Sequence, residues 1–96
     1  MVYGEVVTLI PKEERGVFET ASSTGTEVYC GVRSVKMNEF YRAKEEGIEP
    51  ELVIVIPHHL DYNGEQFLEY DGAKYRIIRS YVSGMTCELT VERYPK

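Results

Sequence analysis

Tryptophan is absent from the 96 residues, cysteine occurs twice and proline four times. Both cysteines, Cys30 and Cys87, fall on the apolar faces of expected strands. Nothing in the chain points to an oxidising compartment, so they are read as buried free thiols rather than a disulfide. No stretch approaches the roughly 20 consecutive apolar residues of a membrane span, and no basic start followed by an apolar run suggests a secretory signal. No membrane partner is therefore expected. Basic residues are the minority charge, 11 against 16 acidic, for a net charge of −5. That balance argues against a surface that grips nucleic-acid phosphate, because such affinity comes from Lys and Arg neutralising phosphates. It does not exclude a passage through which a duplex slides, whose wall should repel rather than bind. Internal repeats, low-complexity tracts and linkers are also missing, so residues 1–96 are expected to form a single domain with one modest core.

The chain's organising stretch is Asp61 to Lys96, DYNGEQFLEYDGAKYRIIRSYVSGMTCELTVERYPK. Two turn signals, Asp71-Gly72 and Ser83-Gly84, separate runs rich in aromatic and β-branched residues, the pattern of a three-stranded antiparallel meander. A two-residue type I′ loop at Asp71-Gly72 sets Tyr70 opposite Ala73, Glu69 opposite Lys74 and Leu68 opposite Tyr75, so opposite charges and apolar groups meet. At the second turn the last strand alternates cleanly, with Cys87, Leu89 and Val91 inward. A three-residue loop, Ser83-Gly84-Met85, keeps parity and places Tyr81 opposite Cys87, Ile77 opposite Val91 and Arg76 opposite Glu92. A bulge at Ile77-Ile78 is the alternative. The buried set is then Leu68, Tyr70, Tyr75, Ile77, Tyr81, Cys87, Leu89 and Val91, leaving Glu69, Lys74, Arg76, Glu88 and Glu92 outside.

Upstream, Glu5 to Ile10 has strand composition and ends at Pro11. From Lys12 to Glu27 the chain is polar and irregular, broken only by Val17-Phe18, a possible short strand. Segments of this kind in small domains are often functional. Glu27 to Arg33 alternates as a half-buried strand, and from about Met37 to Glu46 Met37, Phe40 and Tyr41 recur at helical spacing, with Ser34 or Asn38 as N-cap and Gly47 as the left-handed C-cap. Glu51 to Pro57, a nearly continuous apolar run, reads as a strand covered on both faces, one of them by the helix. The expected fold is α+β, mainly β: a small antiparallel, barrel-like sheet of about five to six strands with one amphipathic helix, at about 37–46.

Residues that could carry catalysis are not gathered. No serine stands in a nucleophile elbow and no glycine pattern opens a helix to cradle phosphate. His58-His59 point to opposite faces if extended, and are read as a surface pair rather than metal ligands. Asp61, Glu65, Glu69 and Asp71 lack calcium-loop spacing and are read as a solvated edge. No catalytic, cofactor-binding or metal-binding residue is assigned, no cofactor is expected, and an enzyme is the least favoured class. Tyrosine is the unusual abundance, eight against three phenylalanines. A tyrosine buries its ring while its hydroxyl stays wet, which suits a sheet whose faces end in protein interfaces.

The segments Asn38-Glu39-Phe40-Tyr41-Arg42-Ala43, Gly47-Ile48-Glu49-Pro50-Glu51, Asn63-Gly64, Tyr70 to Arg79 (YDGAKYRIIR) and Glu88-Leu89-Thr90-Val91-Glu92-Arg93 resemble the head-closure proteins of long-tailed bacteriophages and prophages, also called head–tail connector, adaptor or joining proteins. The resemblance covers roughly Val28 to Arg93 and consists of helix caps, turns and core positions. It implies a virion structural protein of the head–tail junction, not an enzyme. Such a protein assembles with copies of itself as a ring under the portal, extends the DNA exit channel and helps retain packaged DNA until the tail attaches. The implied partners are portal-side adaptor and tail-side proteins, with passing, non-specific contact with double-stranded DNA. The implied location is the virion, and the host cytoplasm before assembly. A ring needs a head-to-tail interface between copies, for which aromatic strand faces and open sheet edges are the expected sources.

The candidate partner or channel loop lies in the segment that the resemblance matches least, with Lys12, Glu13, Glu14, Arg15, Glu19, Ser22, Ser23, Thr24 and Glu27 as its polar residues. Two alternatives stand beside this reading. One is a tail-completion or minor tail component. The other, of a different class, is a small β-barrel that binds single-stranded nucleic acid through its tyrosines with Arg76 and Arg79, which Glu88 and Glu92 would oppose.

Overall fold

Asp71 and Gly72 both take left-handed backbone, φ 52° and 77°, as a type I′ turn requires. The register that follows is Tyr70↔Ala73, Glu69↔Lys74 and Leu68↔Tyr75, as the sequence predicts. The structure, a computed structural model, describes residues 2–11 and 25–95. Its elements are β1 (Glu5–Ile10), β2 (Thr26–Ser34), α1 (Met37–Glu45), β3 (Leu52–Ile56), a 3₁₀ turn (His59–Asp61), β4 (Phe67–Tyr70), β5 (Ala73–Ser83) and β6 (Thr86–Arg93).

The six strands close into an antiparallel barrel in the order β1-β2-β3-β6-β5-β4, with β4 returning to β1. Alternation along each strand fills the interior: Val7 and Leu9, Cys30, Ile54 and Ile56, Leu68, Tyr75, then Cys87, Leu89 and Val91, with Val28, Val32, Leu52, Tyr70, Ala73 and Ile77 packed around them. Each inward residue removes apolar surface from water, at roughly 25 cal/mol per Å². Cys30 and Cys87 are both buried free thiols in this core.

The β5–β6 turn departs from expectation. Ser83 pairs with Thr86, so the loop is the two-residue Gly84-Met85, with φ +62° at Gly84. A left-handed first position followed by an ordinary second one is the type II′ pattern. Parity is restored by a bulge between Ile77 and Arg79, close to the alternative weighed from the sequence. Ile77↔Val91 and Arg76↔Glu92 hold as predicted, but Tyr81 faces Glu88 rather than Cys87. It is 60% exposed and does not belong to the core.

The helix begins at Lys36, not at Ser34 or Asn38. The Lys36 N–H donates to the Glu39 carboxylate at 3.3 Å, half of a capping box. At the other end Ile48 N–H bonds to Ala43 O and Gly47 N–H to Lys44 O, each at 3.0 Å. With Gly47 at φ +80° this is a Schellman motif. Glu39 then reaches Arg33 on β2 at 3.7 Å and Arg79 on β5 at 3.1 Å. Those arginines end the cross-barrel row Arg33–Val53–Thr90–Arg79. The first turn of α1 therefore lies across that row and closes the outer face of β3 over Val53, which is fully buried, as are Ile54 and Ile56.

Candidate interaction surface

Leu9 on β1 pairs with Thr26 on β2, so Pro11 and Gly25 sit at the same end of the barrel. Gly25 is pressed against β1: a Cβ there would lie 2.4 Å from Thr8 Cγ2 and 3.1 Å from Leu9 O. Of the proposed loop residues, Lys12, Glu13, Glu14, Arg15, Glu19, Ser22, Ser23 and Thr24 lie outside the described residues, as does the possible strand at Val17-Phe18. Glu27 does not belong to a loop. It is an exposed β2 residue opposite Thr8, because strand pairing begins earlier than the polar composition of its neighbours suggests.

Four arginines on the strands are held by carboxylates. Arg33 Nη2 donates to Glu88 Oε1 at 2.8 Å, Arg79 Nη2 to Glu39 Oε2 at 3.1 Å, Arg76 Nε to Glu92 Oε2 at 3.0 Å, and Arg93 Nε and Nη2 to Glu51 Oε2 at 3.2 Å. Arg76 and Glu92 pair as their facing positions predict. Glu88, instead of opposing Arg79, serves Arg33, and the partner of Arg79 comes from the helix. The Arg33–Glu39–Arg79–Glu88 group floors a depression of about 430 Å³, with Lys36, Tyr81 and Thr90 on its walls. Glu92 is on the outer parity as expected yet only 2% exposed, since Glu49 N–H also donates to it at 3.3 Å from the loop after α1.

The acidic stretch 61–71 is not uniformly solvated. Glu65 is buried, and its Oε1 accepts the Asn63 N–H at 2.7 Å while its carbonyl accepts the Tyr62 hydroxyl at 2.7 Å. It therefore ties down the entry to β4. His58 is exposed and His59 half-buried, the latter donating its backbone N–H to Met85 O at 2.7 Å. Among the described residues no group of three His, Cys, Asp or Glu side chains could hold a metal ion, and no helix is long and apolar enough to cross a membrane.

The tyrosines divide. Tyr75 is in the core, where burial pushes its hydroxyl pKa up, the Glu51 carboxylate adds to that and Arg93 opposes it. Tyr70 donates to Glu5 Oε1 at 3.2 Å, and burial followed by Glu5 raises its pKa. Tyr29, Tyr41 and Tyr81 are exposed on β2, α1 and β5. They stand on three separate elements, whereas sequence-tolerant base binding uses aromatic rings gathered along one positive groove.

What composition and spacing did not reveal is the apolar exposure at the turn end of the β5–β6 hairpin. Tyr81, Val82 and Met85 are exposed there, and the His59–Met85 hydrogen bond brings exposed Leu60 to the same end. The signal was available in part, since Ser83-Gly84 marks the turn. No protein-family model matches the chain, and no curated protein matches it.

Proposed function

We propose that the protein is a structural component of the head–tail junction of a long-tailed bacteriophage or prophage. It assembles as a ring under the portal, extends the DNA exit channel and helps retain packaged DNA until the tail attaches. The observation that carries this reading is the closed barrel on which four arginines, Arg33, Arg76, Arg79 and Arg93, are each paired with a carboxylate. Together with a net charge of −5, that arrangement supports a wall past which DNA moves without adhering. The polar segment 12–24 joins β1 to β2 and remains the candidate for the channel. Where β4 pairs with both β1 and β5 the barrel is closed, so outside the far half of β5 its strands leave no edge for a continuous sheet between neighbours. A ring interface is accordingly assigned to side-chain faces such as Val6 and Tyr29, exposed on β1 and β2.

Deletion of the gene from the phage or prophage that encodes it tests the proposal. Full heads that leak DNA are expected. Closed heads without functional tails would move the protein to the tail side, and its absence from the neck in cryo-electron microscopy of the particle would end the proposal. The same paired arginines weigh against the single-stranded nucleic-acid reading. For that alternative a gel shift should be strongest at low salt, and none is expected.

A further inference from the structure

β5 outruns the strand beside it. β4 pairs only with Ala73 to Arg76, and the Ile77 N–H is taken by Gln66 O at 2.9 Å. Beyond the bulge, Arg79 to Ser83 have β6 on one side and, among the described residues, no strand on the other. Ser83 and Thr86 flank a two-residue turn and so exchange both of their ladder bonds. Alternation then directs the backbone groups of Tyr81 toward β6 and those of Ser80 and Val82 away from it, into solvent. An unpaired edge of this kind is a template for another strand unless it is blunted. Among the described residues no proline, inward charge or covering loop blunts it, and Ser80, Tyr81, Val82 and Met85 are all exposed. Beside the edge lies a recess of about 350 Å³, more polar than apolar, lined by Tyr62, Glu65, Gln66, Arg76, Ile77 and Arg79 among others.

We infer that the free half of β5 is a dimerisation edge, pairing antiparallel with the same segment of a second copy of this chain about a two-fold axis at Tyr81. The register follows from the groups on offer. Centred on Tyr81, Ser80 of one copy faces Val82 of the other and the two exchange N–H and C=O bonds on both sides of the axis. The two Tyr81 rings become a non-hydrogen-bonded cross-strand pair, a favourable aromatic placement. Arg79 falls opposite Ser83, so no like charges meet. Centring on Ser80 would set the bulged Ile78 against Val82, and centring on Val82 would set Ser80 against the Gly84 turn. Only the Tyr81 register uses every outward group. It also brings Met85 of the second copy, 65% exposed in the single chain, to the recess beside Ile77, Ile78 and Tyr62. A second copy is thus the occupant, because the outward backbone groups of this edge are complementary to themselves in the Tyr81 register.

A two-fold pairing closes at two copies. It is therefore a state of the free protein, separate from any ring, and it stands whether or not the head–tail reading does. Sedimentation equilibrium of the full chain should show a concentration-dependent dimer. Ser80→Pro and Val82→Pro each remove one outward N–H while leaving the β6 ladder intact. Each should raise the dimer dissociation constant about tenfold or more, with unchanged circular dichroism. Tyr81→Cys supplies a readout that does not depend on the proline variants folding. The paired Cα atoms would lie about 4.5 Å apart, within the disulfide range, so mild oxidation should give a dithiothreitol-reversible dimer. Tyr29→Cys, equally exposed on β2, should not cross-link. A wild-type chain that stays monomeric at every concentration would overturn the inference. So would a dimer that survives in both proline variants, or one in which Tyr81→Cys fails to cross-link.

Discussion

Arg76 and Glu92 face each other across β5 and β6, Arg76 Nε lying 3.0 Å from Glu92 Oε2, and the carboxylate they share is almost wholly withdrawn from water. The pair is asymmetric, since the Arg76 side chain remains 44% exposed. Removing the arginine takes the opposite charge away from a buried carboxylate that the Glu49 N–H still reaches at 3.3 Å. Arg76→Met is expected to cost about 2 kcal/mol, less than the full penalty for a broken buried pair because water can enter where the guanidinium was. In urea unfolding, Arg76→Met/Glu92→Leu should recover most of that loss. A double variant as unstable as the sum of the singles would show that the two residues are not coupled.

Burial, and secondarily the Glu5 carboxylate, pushes the Cys30 thiol from 9.0 up to about 11. An acid whose folded pKa is raised holds its proton more tightly in the native state. Its contribution to stability is then fully present below pH 9 and lost as pH rises through about 11. Unfolding free energy measured by denaturant titration should fall across that window. Cys30→Ala should fall less steeply there, even though its absolute stability is lower. An equally steep decline would transfer the effect to Cys87, Tyr62, Tyr70 and Tyr75, whose pKa values burial also raises.

Gly25 is required by contact rather than by backbone angle, because the methyl of Thr8 occupies the place of its missing Cβ. Gly25→Ala should destabilise by about 1–3 kcal/mol, the range for overpacking. Thr8→Ser removes the obstructing methyl and should return part of the loss, the remainder reflecting the 3.1 Å approach to Leu9 O. Thermal unfolding of the two single variants and the double variant measures the coupling. Simple additivity would mean that Gly25 is needed for another reason.

The inward set of β6 was legible because Cys87, Leu89 and Val91 alternate without ambiguity and nothing local competes with them. The first hairpin was legible for a similar reason: Asp71-Gly72 admits left-handed φ at both positions, and that fixes three cross-strand pairs. Parity alone could not choose between a longer turn and a bulge, since Ile77 and Ile78 are both apolar and either can face inward. The burial of Glu92 depends on the loop after α1 folding back over it, a contact 43 residues distant in sequence. The bridge made by Glu39 was hidden for the same reason, since Arg33 and Arg79 become its neighbours only when the barrel closes. At the candidate interaction surface, turn chemistry located the β5–β6 tip. The free edge beside it emerges only from comparing the lengths of paired strands.

The bulge makes Tyr75 and Tyr81 opposite cases on one strand, and their substitution tests the register directly. Tyr75 is 4% exposed, with the Arg93 guanidinium 5.3 Å from its ring centre. Tyr75→Ala should therefore cost about 3–5 kcal/mol, as for large aromatic truncations in cores. Tyr81 lies beyond the shift, opposite Glu88, with most of its ring in solvent. At concentrations where the chain is monomeric, Tyr81→Ser should change stability by no more than about 0.5 kcal/mol. Had the three-residue loop formed, Tyr81 would face Cys87 in the core and the two substitutions would be similarly damaging. Comparable losses for both in urea titrations of dilute protein would accordingly refute the bulged register.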